Sequence, residues 1–269
     1  MVLRDALFTN SILVNSEVWH NVQAKHVQSL EQSDLNLMKK IINSHSKTAT
    51  EAYFLELGKY PLRFTLSKRR FMYLWHLLHR DTNELIRKVY QAQKCQYNPG
   101  DWFCIVSEER KKYDILESDD EIASMTKQKF KSIAEEKIGK AALKYLQELK
   151  KKHSKSRNIP SDKIEVKQYF SDRRFSKEEV QLLFTLRTKM LDVKQNFKSQ
   201  FKNLQCRICE DKNSIEDEDH ILKCVKFNDN EDNISFSDVY GNTDDQLKAV
   251  KIFKKIMRRR QVYLDILSK

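Results

Sequence analysis

Glycine and proline are scarce in this chain, and their scarcity limits the folds open to it. Of the 269 residues, only 4 are Gly and 3 are Pro. A β-sandwich or β-barrel needs a turn about every 8–12 residues, and Gly and Pro supply many of those turns. The composition therefore argues against an all-β fold. Charged residues make up 33% of the chain, which is typical of a protein built from long helices.

The spacing of apolar residues predicts helices along most of the chain. We expect them over about residues 31–43, 51–57, 61–78, 81–89, 118–149, 177–197 and 243–267. Gly58 stands where a helix C-terminal glycine belongs, and Pro61 suits the first turn of the next helix. Residues 164–170 are a candidate short strand. Residues 154–160 are polar and are expected to form a linker.

Three Ser/Thr-x-x-Glu/Gln patterns predict helix starts with a capping box. They are Ser118 with Glu121, Ser176 with Glu179, and Thr243 with Gln246. The acidic pairs at 119–120 and 244–245 follow the first residues of two of these patterns, where carboxylates favour the helix dipole. Two-metal phosphoryl transfer instead needs carboxylates on rigid neighbouring elements, around metals roughly 4 Å apart. We therefore interpret both pairs as helix-start residues and expect no catalytic site in this chain.

Positive charge predominates and is unevenly placed. Lys and Arg number 50 against 38 Asp and Glu, a net charge of +12. Residues 127–157 hold eleven basic and three acidic residues, residues 213–245 ten acidic and two basic, and residues 246–269 eight basic and one acidic. Such runs are either solvated helix faces or a discontinuous groove for a polyanion such as nucleic acid. The candidate nucleic-acid contacts are Lys68, Arg69, Arg70, Lys144, Lys150, Lys151, Lys152, Arg258, Arg259 and Arg260.

A cluster of metal-binding residue types lies near residue 210. Its pattern is Cys206-x2-Cys209-x10-His220-x3-Cys224. Two thiolates two residues apart can hold one metal from a tight turn, and a His and a Cys one helical turn apart can complete a tetrahedron. Thiolate and imidazole ligands suit Zn²⁺, and four protein ligands define a closed structural site. A chance arrangement and a redox pair are the alternatives, although the βαβ context of a redox pair is missing. The sequence therefore predicts a structural zinc knuckle.

The remaining cysteines and the chain start bear on the compartment. The five cysteines are an odd number and form no complete set of disulfide pairs, which favours a reducing environment. The N-terminal residues lack the pattern of a secretory signal. No apolar run approaches the roughly 18 residues of a membrane-spanning helix. We expect a nuclear or cytoplasmic protein that does not engage a membrane.

Short motifs in a fixed order resemble a known family. They are Leu55-Glu56-Leu57-Gly58, Pro61-Leu62-Arg63-Phe64, Arg69-Arg70, Asn83-Glu84-Leu85-Ile86, Gly100-Asp101-Trp102, His153-Ser154-Lys155, Leu182-Leu183-Phe184, Leu186-Arg187, Asn196-Phe197 and the Cys/His cluster. Over about residues 1–226 the chain resembles the region downstream of the polymerase core in reverse transcriptases of non-LTR (LINE-type) retrotransposons. The resemblance implies thumb and linker helices, a terminal zinc knuckle, and contact with RNA template or target DNA. It also implies an upstream polymerase domain as partner within a longer polyprotein, and it places the polymerase aspartates outside this chain.

Together these observations predict a mainly α protein: an irregular helical bundle with a small C-terminal Cys3His zinc knuckle and a terminal helix. The expected divisions are residues 1–115, a thumb-like helical region; 116–200, a helical linker; 201–228, the knuckle; and 229–269, an acidic insert with a basic terminal helix. The expected function is binding of RNA or DNA through basic helices, with structural Zn²⁺ and without polymerase residues. The alternative is a zinc-stapled helical module for protein–protein interaction. A catalytic enzyme would need carboxylates that converge in space.

Overall fold

The protein is mainly helical, as its composition predicts. The computed structural model describes residues 5, 10–20, 22–209, 211, 214–227 and 234–267, so part of the acidic stretch 213–245 lies outside the described residues. Within these ranges β-pairing is limited to two isolated bridges, and no helix is both long and apolar enough to cross a membrane. The main helices are α1 (Ala24–Ile42), α2 (Thr50–Leu57), α3 (Leu62–Leu78), α4 (Leu85–Gln96), α5 (Trp102–Lys112), α6 (Asp119–Ser124), α7 (Lys127–Lys152), α8 (Lys177–Arg187), α9 (Glu218–Lys223) and α10 (Thr243–Leu267).

The chain divides into two compact units that alternate along the sequence. Unit 1 comprises Met1–Met38, Lys59–Glu148 and Asp162–Ile164. Unit 2 comprises Lys39–Gly58, Leu149–Ser161 and Glu165–Lys269. The four segments expected from the sequence are a different division of the chain and remain a prediction.

Unit 1 has an aromatic core built from helices α3 to α7. On α7 the buried residues Phe130, Ala134, Ile138 and Ala142 repeat every four positions, which gives that helix one apolar stripe. The stripe packs into a buried cluster whose other members are Phe64, Phe71, Leu74, Leu77, Leu78, Tyr90, Trp102, Val106, Tyr113, Ile115 and Ile122. Burial of these large side chains is the main favourable contribution to the folding of unit 1.

A buried ion pair lies in unit 2. Arg187 on α8 donates to Glu56 on α2 at 2.9–3.1 Å, and the two side chains are only 2% and 0% exposed. The Tyr169 hydroxyl donates to the same carboxylate at 2.8 Å, and Arg187 also donates to the carbonyl of Val239. Two buried charges are stable only when their remaining hydrogen bonds are satisfied, and these partners satisfy them. The network therefore fixes α2, α8 and the segment around Val239 within unit 2.

Several helix ends follow the sequence signals. Both Ser-x-x-Glu capping boxes are present, at Ser118 with Glu121 and at Ser176 with Glu179. Gly58 ends α2 in the left-handed conformation with φ 61°, as predicted, and a Cβ atom there would lie 2.2 Å from the amide nitrogen of Val166. Glycine is therefore required at this position both for its conformation and for the close backbone approach.

Other helix ends differ from the prediction. The single stretch expected from 118 to 149 is broken at Met125, whose backbone is extended and whose carbonyl accepts a hydrogen bond from the Trp75 indole at 3.0 Å. Helix α8 ends at Arg187 rather than near 197, because Lys189 adopts a left-handed conformation with φ 54°. Helix α5 was not predicted at all.

Two further expectations are corrected. The candidate strand at 164–170 contributes one bridge, between Val166 and Leu57, and then a 3₁₀ turn over Gln168–Phe170. The expected capping box of Thr243 and Gln246 is replaced by Asn242, whose side-chain oxygen accepts from the amides of Asp244 and Asp245 at 2.9 and 3.1 Å. Asparagine one residue earlier satisfies the free amides of α10, so Thr243 is not needed as a cap.

Candidate metal centre

Two short elements of unit 2 carry the four sequence-predicted metal ligands. Cys206 and Cys209 flank a tight turn, which follows an isolated bridge between Gln205 and Ile215. His220 lies in the first turn of α9, and Cys224 directly follows that helix. The segments bearing the two ligand pairs are joined by a hydrogen bond from the Glu216 amide to the Leu204 carbonyl at 2.7 Å.

The four ligand atoms converge. All of them lie within 4.8 Å of one another, and the Cys209 sulfur is 3.4 Å from Nε2 of His220. Ligands about 2.3 Å (sulfur) and about 2.0–2.1 Å (nitrogen) from a tetrahedral metal lie roughly 3.4–3.8 Å apart. The cluster of Cys206, Cys209, His220 and Cys224 could therefore hold one metal ion, and its donor set is compatible with zinc.

Burial and mutual repulsion act on the three thiols. Burial, together with the neighbouring sulfurs of Cys206 and Cys209, raises the pKa of the Cys224 thiol to about 12. Burial likewise raises the pKa of Cys206. Burial also acts to raise the pKa of Cys209, but hydrogen bonds from the Asp211 backbone and the Ser214 hydroxyl outweigh it and leave that pKa below its usual value. A bound cation would relieve the repulsion between adjacent thiolates.

A network of charged side chains, centred on the buried Glu216 and Arg260, supports the ligand turn. Arg207, which lies between the first two cysteines, donates to both carboxylate oxygens of Glu216 at 2.7–3.0 Å. Glu216 also accepts from Arg260 of α10 at 2.5 Å, and the Glu216 and Arg260 side chains are only 1% and 2% exposed. Asp192 lies near both guanidinium groups, at 3.3 and 3.7 Å. The network thus ties the cysteine turn to the terminal helix.

The acidic residues before His220 are also engaged. Asp217 caps α9, because its side chain accepts from the His220 amide at 2.8 Å. Glu218 is buried, and it accepts from Lys189 at 2.9 Å and from the Asn196 amide group at 2.8 Å. The structural role of these acidic residues was not predicted from the sequence. The Asp217-x-x-His220 spacing is a helix N-cap pattern and was the available signal.

The three basic residues that the sequence predicts as contacts on α3 all have partners within unit 1. Arg70 is buried and donates to Glu109 at 2.6 Å. Arg69 donates to the Leu13 carbonyl, and Lys68 pairs with Glu135. Arg70 therefore has an ion-pair partner inside the fold, and its role as a phosphate contact remains a prediction.

The four lysines predicted on α7 differ in exposure. Lys144, Lys151 and Lys152 are exposed, and none of them has an acidic partner within the described ranges. Lys150 is partly buried, and its ammonium group donates to the Ile159 carbonyl and to the Ser161 hydroxyl. Three of the four are therefore available to an external anion.

The arginine triplet on α10 divides in the same manner. Arg258 is 74% exposed, with Glu178 4.0 Å away. Arg259 donates to the Phe227 carbonyl at 2.9 Å. Arg260 is buried and paired with Glu216, and its role as a nucleic-acid contact remains a prediction.

The two acidic pairs occupy the positions predicted for them. Asp119 and Asp120 lie in the first turn of α6, and Asp244 and Asp245 in that of α10. Asp119 is already engaged, since it accepts from Tyr90, Lys94 and Arg110 at 2.7–3.0 Å. Asp244 accepts from Arg174 at 2.5 Å.

Fold and site together define a mainly helical protein with a Cys3His cluster that could hold a metal ion. Comparison with known proteins adds no relative: no family model, no curated protein and no solved structure matches the chain.

Proposed function

We propose that the chain is a nucleic-acid-binding region stapled by structural Zn²⁺, and that it corresponds to the thumb, linker and zinc-knuckle part of a non-LTR retrotransposon reverse transcriptase. The observation that carries the proposal is the convergence of three sulfurs and one imidazole nitrogen within 4.8 Å. Four protein ligands fill a tetrahedral zinc, so the ion would order residues 204–227 and leave no open position for catalysis.

Metal content tests the zinc part directly. Native mass spectrometry of the intact chain should show one bound Zn²⁺, which is lost in the variant Cys206→Ser. The matched control is Cys95→Ser, because Cys95 is an exposed free cysteine of unit 1. An intact chain purified with zinc in the buffer but carrying none would contradict the proposal.

Positive charge that has no acidic partner within the described residues supports the proposed binding of nucleic acid. The chain carries a net charge of +12, and Lys144, Lys151 and Lys152 are exposed without acidic partners among the residues that the structure describes. Lysines gain binding energy on a phosphate backbone by releasing its condensed counterions, and such contacts position a polymer without reading its sequence. The chain should therefore bind RNA and DNA of many sequences.

A protein-interaction module is the second candidate, and one observation favours it. Leu85, Ile86 and Val89 form an exposed apolar side of α4, and Leu85 is 77% exposed. Such patches mark docking sites more often than single exposed apolar residues do. Competition distinguishes the two functions: heparin and unlabelled RNA displace a nucleic-acid ligand, whereas a partner held by the α4 patch tolerates both and is lost in Leu85→Ser.

A further inference from the structure

A cleft in unit 2 gathers lysines that the sequence alone did not group. It consists of two adjoining hollows of about 400 and about 600 Å³, which share Lys47, Ser154 and Lys155. The first lies between the 46–50 segment and the 152–155 segment, and the second extends along residues 195–200 to residues 217–219. We call the two together the Lys47–Lys155 cleft.

Four of the five lysines that line this cleft are not neutralised by neighbours. Lys47, Lys152, Lys155 and Lys198 have no ion-pair partner in the described part of the chain, whereas Lys189 pairs with Glu218. Lys155 is only partly exposed, and burial together with the charge of Lys47 lowers its pKa. Like charges held this close in a concave site favour an anionic ligand.

Most acids of the cleft already hold other partners. Glu218 is buried against Lys189 and Asn196, and Asp217 caps α9. Glu51 is fully buried beneath the cleft, where it accepts from the Ser156 hydroxyl and lies 3.0 Å from Nδ1 of His153. Asp219 is the exposed acid, and it lies at the far end among residues 217–219. The part of the cleft near Lys47 and Lys155 is therefore positive.

Polar and aromatic groups accompany the lysines. Because Nδ1 of His153 faces Glu51, its Nε2 atom is left without a partner among the described residues and can meet a ligand oxygen. The Lys155 ammonium lies 4.4 Å from the centre of the Phe197 ring, and the His45 ring lies 5.2 Å from the same centre. Lysines beside aromatic rings suit a single strand, whose bases are free to stack on the rings. The bases of a duplex are already paired and stacked on one another, so they do not suit this surface.

We propose that the Lys47–Lys155 cleft binds the phosphodiester backbone of a single nucleic-acid strand. Lys47, Lys152 and Lys155 contact phosphates, and His45 and Phe197 lie beside the bases. This inference rests on the proposed function and names the surface that performs it. A free nucleotide offers the same phosphate chemistry, so the test includes it as a separate arm.

The test compares two lysine pairs of equal charge in the full chain loaded with zinc. The cleft variant is Lys47→Gln with Lys155→Gln, and the control is Lys177→Gln with Lys248→Gln, two exposed lysines of unit 2 outside the cleft. Binding of a fluorescent single-stranded RNA of roughly 12 nucleotides is measured by anisotropy. The cleft variant should bind about tenfold more weakly, and its salt dependence should be shallower by roughly 1.4 in slope, since each lost contact removes about 0.7. The control should stay within about twofold of the wild type.

Further arms separate the possible failures. A third variant, Lys47→Arg with Lys155→Arg, keeps the charge and should keep most of the affinity. Equal weakness of the Arg and Gln pairs would show that positive charge at these positions does not carry the binding and would overturn the proposal. Equal effects of the cleft and control pairs would overturn the cleft while the proposed function stands. If a nucleoside triphosphate at stoichiometric concentration abolishes RNA binding, the ligand of the cleft is a small anion and the proposed single strand is overturned. A wild-type chain that binds no RNA or DNA at low salt would overturn the proposed function as well.

Discussion

Burial decides what each arginine of a basic cluster does. On α10, Arg258 points to solvent, whereas Arg260, two positions further on, is enclosed with Glu216. On α3, Arg70 is similarly enclosed with Glu109, where burial acts to raise the pKa of that carboxyl more than Arg70 lowers it. A run of adjacent basic residues therefore mixes structural and accessible cations, and the sequence of the run does not distinguish them.

The arginine pair on α10 gives a matched test at this scale. Arg260→Ala leaves the buried Glu216 carboxylate with Arg207 as its remaining arginine partner and should lower the free energy of unfolding of unit 2 by about 1–3 kcal/mol. Arg258→Ala removes an exposed cation and should change it by less than about 0.5 kcal/mol. Denaturant unfolding followed by circular dichroism measures both. Similar losses in the two variants would contradict the assigned network.

Asp119 in unit 1 is an acidic residue whose role is likewise set by burial and by its partners. Burial acts to raise the pKa of its carboxyl, but hydrogen bonds from Lys94 and Tyr90 and the nearby charge of Arg110 outweigh it, so the pKa lies below its usual value. A carboxyl whose pKa is lower in the folded state stabilises the fold above its unfolded-state pKa, and that contribution is lost as the pH falls through the folded-state value.

Replacing Asp119 should therefore cost stability at neutral pH. Asp119→Ala should lower the free energy of unfolding by about 1–3 kcal/mol, because Tyr90 and Arg110 lose a shared partner. The neighbouring Asp120→Ala removes an exposed carboxylate from the same helix turn and serves as control. The difference between the two variants should shrink as the pH falls below the usual carboxyl range. A difference that persists undiminished in acid would argue against the ionised Asp119.

Helix starts were more predictable than helix ends. Two Ser-x-x-Glu boxes were correct because a cap is a local contact between residues three apart. The break at Met125 depends on the indole of Trp75, fifty positions away, so no local pattern contains it. Helix α5 was missed for a related reason, since Trp102 and Val106 are buried by tertiary packing in a segment with mixed polarity. The metal cluster was predictable for the same reason as the helix starts, since its four ligands lie close together in the sequence. In the structure all four predicted residues converge.

Metal removal should act on the elements that the cluster joins. Chelation or Cys206→Ser should raise backbone hydrogen exchange over residues 204–227 and also near Arg260, because Glu216 links the cysteine turn to α10. Helices α3 to α6 of unit 1 should keep their protection. Cys95→Ser serves as the control and should leave exchange unchanged in both regions. Unaltered exchange around the cluster after complete metal removal would contradict a structural role for the ion.

At the scale of the whole molecule, part of the excess positive charge is not paired with acidic side chains within the described residues. Arg70, Arg187 and Arg260 are each paired with a carboxylate, whereas Lys47, Lys151, Lys152, Lys155 and Lys198 have no acidic partner in the part of the chain that the structure describes. The sign and amount of the net charge follow from the sequence alone. It could not predict which cations share a surface, since Lys47 and Lys155 are brought together only by the fold of unit 2.

The salt dependence of nucleic-acid binding tests the central claim most directly. Affinity of the zinc-loaded full chain for single-stranded RNA is measured by anisotropy between about 50 and 200 mM monovalent salt. With three or more phosphates neutralised, the logarithm of the affinity should fall linearly with the logarithm of salt concentration, at a slope of about −2 or steeper. A flat response, or no binding at the lowest salt, would contradict the account.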